Sequence, residues 1–352
     1  MKYRNLWAAF TLVFCLSFAV LGYYGFEIYQ KAPPYPRSVV TETGDVLFTE
    51  SEIKNGLNVW QSIGGQQLGS VWGHGAYVAP DWTADWIHRE ALALADRYAQ
   101  AEHGISYAEL DIEKKAALQA RLQAELKKNS YDPSTGDISV SADRAEAIRS
   151  VSAHYDGLFM NDPALADLRD AYAMPAHTIK SQDRMKMLNA FFFWTAWAGV
   201  TLRPGEKITY TNNWPPDQLV GNVPTGALLI WTGFSVILLL IGIGMLASYY
   251  AANREDDHHL ESIPENDPLV GLNPTPSMLA TLKYFWVVCA LMVVQVILGA
   301  VTAHYGVEGN GFYGFPLADY FPYSVTRTWH VQMGIFWIAT SWLATGLFIG
   351  PA

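Results

Sequence analysis

Cysteine is scarce in this sequence: among 352 residues there are two, Cys15 and Cys289, and both lie inside long apolar runs. Since neither lies in a polar region, those regions cannot form a disulfide of their own. The pattern C-x-x-C-H, to which c-type haem is attached, does not occur, so this chain carries no covalently attached haem. Basic residues are outnumbered, 23 against 33 acidic ones, and no basic face is visible, which excludes a nucleic-acid partner.

Charge is absent from four stretches, and each is as long as the roughly 20 residues with which an α-helix crosses a bilayer. They are residues 5–26, 219–253, 284–303 and 328–352, with His330 counted as neutral. A helix in a soluble protein needs only one apolar stripe to join a core, so such runs are rare there. The sequence therefore predicts a mainly α, polytopic helical membrane protein in contact with the lipid bilayer.

The first apolar stretch follows "MKYR" and has two interpretations, a cleaved secretory signal or an uncleaved anchor helix. The long apolar core, the lack of an A-x-A site and the aromatic belt "GYYGFEIYQ" favour the anchor. The two positive charges before it indicate a cytoplasmic amino terminus, and residues 303–326 lack Lys and Arg, as expected on an outer face. Four crossings then place residues 30–218 and 304–324 outside and 254–277 inside.

The long polar region between the first two spans predicts a mostly helical outer domain. Thr49 with Glu52, and Ser106 with Glu109, have the spacing of helix-starting capping boxes. The apolar segment 187–200, "MLNAFFFWTAWAGV", is short for a crossing. We expect it to be a helix that is either buried in the outer domain or lies against the bilayer.

These features divide the chain into three predicted domains. An anchor helix occupies residues 1–29, the outer domain 30–218, and a bundle of three membrane helices 219–352. The helices of that bundle are predicted at about residues 222–252, 278–303 and 326–350.

His330 is the strongest candidate site residue, because an ionisable side chain within a membrane span is costly and indicates function. Neutral imidazole is a common axial ligand of haem iron. Arg327, one helical turn earlier, suits a haem propionate, since a guanidinium pairs well with a carboxylate. The alternative is that Arg327 extends to the lipid headgroups and that His330 hydrogen-bonds another helix.

His304 and Glu308 are four residues apart at the predicted outer end of the third span, and Phe312 repeats that spacing. A base and a carboxylate beside an aromatic ring could bind a quinol head group and accept the protons that quinol oxidation releases. The alternative is a polar loop at the membrane surface, and the spacing does not decide between the two.

Four stretches carry a family resemblance: "NVWQSIGGQQLGSVWGHGAYVAPDWTADW", "FFFWTAWAG", "YTNNWPP" and "RTWHVQ". Together they resemble the quinol-dependent nitric oxide reductases, single-chain members of the haem-copper oxidase superfamily, over essentially the whole chain. The resemblance implies that the outer domain is similar to a cytochrome c that has lost its haem. It also implies a bacterial inner membrane, with this domain on the periplasmic side, and a possible homodimer.

By this resemblance His330 matches one axial ligand of a low-spin haem b, and Arg327 lies near the haem propionates. His304 and Glu308 match polar residues of the quinol pocket, with Phe312 as its wall. The implied reaction converts two NO, two electrons and two protons to N2O and water. Membrane quinol supplies the electrons through haem b to a catalytic haem b and a non-haem iron.

The chain departs from the family pattern in one respect: after His330 it contains no histidine and no glutamate. Members of the family are longer, and their later helices supply the second ligand of the low-spin haem and the ligands of the catalytic irons. We therefore expect this chain to be an amino-terminal portion that holds a partial haem site and has no catalytic residues or activity of its own. Two alternatives remain open, a non-catalytic electron-relay subunit with one haem b and a membrane sensor with an outer ligand-binding domain.

Overall fold

The computed structural model describes residues 2–76, 79–172, 174, 176–253, 270–307, 314–315, 317, 320–321 and 323–350. The chain begins with a long helix, α1 (Lys2–Gln30). A packed domain follows, which we call the head domain (residues 32–222), and the remaining helices come after it. The described residues therefore form a mostly helical domain between apolar helices, as the sequence predicts.

Six strands contribute to the head domain, and the sequence analysis did not predict them. The first four are β1 (Ser38–Thr41), β2 (Val46–Thr49), β3 (Ser70–Val71) and β4 (His74–Gly75), followed by β5 (Tyr131–Asp132) and β6 (Asp137–Val140). One sheet has the order β2-β1-β6-β5, in which β1 runs parallel to β6 and the outer pairs are antiparallel. Strands β3 and β4 form a separate antiparallel hairpin.

The described residues of the head domain also form seven α-helices. They are α2 (Glu50–Ser62), α3 (Gly65–Leu68), α4 (Trp82–His103), α5 (Ile112–Lys127), α6 (Ala142–Met160), α7 (Ala166–Ala171) and α8 (Gln182–Val200). Thr49 caps α2, and the predicted reciprocal bonds with Glu52 are present. The Ser106–Glu109 box is also present, but it caps a short 3-10 helix, Tyr107–Glu109, and not the start of α5. Helix α5 starts later and has its own cap, Asp111, whose side chain accepts from the Lys114 backbone N–H.

Helix α8 is the centre of the head-domain core. Every residue from 188 to 200 is buried, and helices α2, α4 and α6 pack around it. A helix that is apolar on all sides is stable in water only when other elements cover all of its faces. Of the two placements predicted for residues 187–200, burial inside the domain is therefore confirmed.

The remaining helices are α9 (Gly226–Asn253), the short α10 (Pro276–Ala280), α11 (Leu282–Val307) and α12 (Tyr323–Ile349). Four segments of the described chain are long and apolar enough to cross a membrane: Trp7–Gln30, Leu229–Asn253, Pro276–His304 and Val325–Ile349. Large apolar side chains are exposed along all of them, which in an isolated soluble protein would be unfavourable. The chain is a multi-pass helical membrane protein, and its helices begin and end within about one turn of the predicted bounds.

The connection from α1 to the head domain is fixed by aromatic contacts. Tyr35 stacks on Trp194, with ring centroids 4.3 Å apart and an interplanar angle of 12°. The indole Nε1 of Trp194 donates a hydrogen bond of 2.9 Å to the backbone oxygen of Pro34. Because Trp194 belongs to the buried helix α8, these contacts attach the linker to the core.

Candidate functional site

Helices α11 and α12 pack against each other along a seam of small and polar residues. His330 contacts α11 at Gln295 and Gly299, while Trp337, two turns later on α12, contacts Gln295. The later residue of α12, Trp337, therefore contacts the earlier part of α11. The two helices run antiparallel. The seam brings an imidazole, an amide and an indole together within apolar spans.

The hydrogen bond of His330 determines which ring nitrogen carries the proton. Its Nδ1 lies 2.9 Å from the backbone oxygen of Gln295. A carbonyl oxygen can only accept, so Nδ1 is the donor and the lone pair of the neutral ring is on Nε2. Histidines that ligate metals commonly have this arrangement, with the non-ligating N–H bonded to a carbonyl. The donor set therefore fits an axial haem ligand, and it also satisfies the alternative of a bond to a neighbouring helix.

Two other predicted site residues, Arg327 and His304, lie near the same end of this helix pair. Arg327 is half-buried one turn before His330 on α12, and His304 is half-buried in the last turn of α11. His304 is five residues beyond Gly299, which packs against the His330 ring, so it lies about 7.5 Å further along the helix axis. Glu308 and Phe312 lie outside the described residues.

The site can offer a metal one nitrogen ligand from His330. Within the part of the chain that the structure describes, no three His, Cys, Asp or Glu side chains converge in a way that could hold a metal ion. A haem iron needs only one or two axial ligands from protein, since the porphyrin occupies its other positions. One well-oriented imidazole is therefore compatible with haem, whereas a non-haem iron would need more ligands than the described residues bring together.

A second feature is an open cavity of about 790 Å³ between the carboxyl-terminal end of α1 and the head domain. Its walls combine aromatic and polar side chains, with Tyr24, Trp72, Tyr210 and Trp214 among the aromatic ones. Of the predicted site residues that the structure describes, His304, Arg327 and His330, none lines this cavity. Charged groups at its edge pair with one another, such as Lys31 with Glu27 at 3.2 Å, so the cavity favours no ligand of one particular charge.

The head domain has a counterpart among known protein families. The family model for the cytochrome c-like domain of NorB, a nitric oxide reductase component, matches residues 36–216. The chain belongs to this family. No curated protein matches the chain in a direct sequence search.

As a member of the NorB family, the chain is of the nitric oxide reductase type of oxidoreductase, a haem-containing class. The match falls within the predicted outer domain, residues 30–218, for which the family resemblance implied a likeness to a cytochrome c. The core of this domain is aromatic. Trp86 stacks on Tyr155 with ring centroids 5.3 Å apart, and Trp82 stacks on Phe192 at 5.8 Å. All four side chains are fully buried.

Four residues of the α11–α12 seam were not singled out from the sequence: Gln295, Gly299, Gly334 and Trp337. A signal was available for the first two. Gln295 is the one amide side chain in the uncharged run 284–303, and Gly299 follows four residues later, on the same helix face. An amide within a membrane span calls for a hydrogen-bond partner, just as an ionisable group does.

Proposed function

We propose that this chain serves a quinol-oxidising nitric oxide reductase, in which it provides one axial ligand of a low-spin haem b and part of a quinol pocket. The overall reaction would be two NO plus one quinol giving N2O, water and quinone. The observation that carries the proposal is the His330–Gln295 hydrogen bond, which leaves the Nε2 lone pair of a membrane-embedded histidine available. Membership in the NorB family of nitric oxide reductases gives the reaction class.

The chain's own residues have distinct roles in this proposal. His330 would hold the iron through Nε2, and Arg327, one turn nearer the start of α12, would pair its guanidinium with a propionate carboxylate. The bound haem supplies one-electron transfer between the quinol and the catalytic iron centre. His304 and Glu308 accept the protons of the quinol hydroxyls, since an imidazole or a carboxylate within hydrogen-bond reach can act as the base. Phe312 forms a wall of the pocket.

The ligand assignment is tested by His330→Ala in the protein as it exists in native membranes. We expect low-spin haem b to be lost from reduced-minus-oxidised spectra while the polypeptide remains in the membrane. Thr328→Ala is the matched control, because Thr328 is in the same turn of α12 but exposed. An unchanged haem b spectrum in His330→Ala would show that another residue ligates the iron.

The quinol role is tested in the intact reductase by comparing two electron donors in His304→Ala and Glu308→Gln. With quinol as donor, turnover should fall about 100-fold, because a positioned acid–base group typically contributes at least that much. With an artificial donor that reduces haem b directly, turnover should stay near that of the unmodified protein. Equal losses with both donors would contradict a quinol pocket at these residues.

A further inference from the structure

We infer that Gly299, Gln295 and Trp337 are positioning residues that fix the orientation of the His330 imidazole within the membrane. The inference rests on the proposed function, since it concerns the same histidine. It goes further by naming the α11–α12 contacts that hold the ring and by assigning Gly299 a role that only glycine can fill.

Gly299 provides the space that the imidazole occupies. A Cβ atom built on Gly299 would lie 2.7 Å from Cε1 and 2.9 Å from Nδ1 of His330, distances that real Cβ contacts essentially never show. The same Cβ would lie 3.6 Å from Nε2, so the glycine lies against the Nδ1–Cε1 edge of the ring. Any side chain at position 299 would therefore displace the imidazole from the neighbouring helix.

Gln295 fixes the ring because its backbone oxygen accepts the hydrogen bond from His330 Nδ1, and its own side chain is held by α12. Trp337 Nε1 donates to Gln295 Oε1 at 2.5 Å. Gly334 makes room for that amide, since a Cβ at Gly334 would lie 2.7 Å from Gln295 Nε2. Gln295 is thus bonded to α12 at two levels, through its backbone to His330 and through its side chain to Trp337.

These contacts restrict the ring in two ways. The Gln295 carbonyl specifies the tautomer and the direction of Nδ1, and the close approach to Gly299 limits where the Nδ1–Cε1 edge can lie. A ligand that is already oriented needs no reorganisation when iron binds or changes its oxidation state. The orientation of an axial imidazole and the hydrogen bond on its other nitrogen are among the features by which a protein tunes haem iron.

The experiment replaces Gly299 by alanine in the full-length, haem-loaded protein. Low-spin ferric EPR signals and the reduction potential of haem b are measured, together with haem retention during purification. We expect shifted g-values, a shifted potential and about 10-fold weaker haem retention, the lower end of what loss of an orienting contact costs a metal site. Gly346→Ala is the control, because Gly346 is on α12, the other helix of the pair, and nothing lies within 4 Å of its added Cβ.

A second variant, Trp337→Phe, keeps an aromatic ring but removes the donor to Gln295, and it should give a smaller shift of the same signals. If Gly299→Ala does not accumulate in the membrane, Trp337→Phe still tests whether these contacts position His330. EPR signals and potential equal to those of Gly346→Ala in every variant recovered would overturn the positioning role. If His330→Ala itself kept low-spin haem b, the proposed haem ligand would be wrong, which is a different result.

Discussion

At the scale of single residues, Lys127 is a basic group of the head domain whose pKa is strongly lowered by folding. It lies at the end of α5, and its Nζ donates to Asn222 Oδ1. Burial disfavours the ammonium form and lowers the pKa of Lys127 to about 8 from its ordinary value of 10.5, although the nearby Asp217 carboxylate opposes this. The folded state therefore binds fewer protons than the unfolded state between these two pH values.

The sign of the resulting pH dependence follows from linkage. Because the unfolded state binds more protons, the contribution of Lys127 to the free energy of unfolding rises as pH rises from about 8 to 10.5. We expect the unfolding temperature of the unmodified protein, relative to Lys127→Met, to increase across this range. Tryptophan fluorescence of the detergent-solubilised protein gives the measurement. Lys128→Met is the control, since Lys128 is exposed; an identical pH response in the two variants would contradict the prediction.

At the scale of secondary structure, the contact of α2 with α8 depends on Gly56. A Cβ built at Gly56 would lie 2.0 Å from the backbone oxygen of Met187 and 2.6 Å from Phe191 Cβ. Since the first of these neighbours is a backbone atom, it cannot move without shifting α8. Close approach of the two helices therefore requires a glycine at this position, even though glycine is a poor helix former.

Gly56→Ala accordingly sets two effects against each other. Alanine favours the helix by about 1 kcal/mol, but overpacking a well-packed contact costs about 1–3 kcal/mol or more. Because the clash is with a backbone atom, we expect net destabilisation, seen as a lower unfolding temperature. Asn55→Ala is the matched control on the exposed side of α2 and should be neutral or slightly stabilising. Equal stability of the two variants would mean that α2 and α8 do not approach as closely as described.

At the scale of the whole molecule, the number of membrane spans relates the side of the membrane on which the head domain lies to the position of the α11–α12 site. If all four candidate helices cross, the head domain, the end of α11 and the start of α12 are on one side, and the end of α9 and the start of α11 are on the other. The charges in "MKYR" indicate that the first of these sides is the outer one. On that basis we propose that the head domain is periplasmic and that His330 lies near the periplasmic surface.

This topology predicts which positions a membrane-impermeant thiol reagent can reach in intact cells with a permeabilised outer membrane. Ser51→Cys, exposed on α2, should be labelled, and Asn273→Cys, exposed before α10, should be labelled only after the inner membrane is opened. The parent for both is a variant in which Cys15 and Cys289 are replaced by alanine. Labelling of Asn273→Cys but not of Ser51→Cys in cells with an intact inner membrane would contradict the proposed orientation.

The sequence by itself determined the membrane spans and the start of α2. An uncharged run of 20 or more residues allows few structures other than a spanning helix, and a capping box such as Thr49–Glu52 acts within four residues of chain. The same reasoning found His330, because an ionisable side chain stands out in an apolar run. Each of these signals is local, which explains why it is readable without a fold.

Only the tertiary structure decided features whose partners are distant in the chain. Strands β1 and β6 are four residues each and pair across about a hundred residues, so neither has a pattern long enough to recognise. The apolar segment of α8 was compatible with either a core or a bilayer until the helices around it were known. The role inferred for Gly299 likewise depends on a ring 31 positions away, on another helix. Such contacts are set by how elements pack, and local composition does not encode which surfaces will meet.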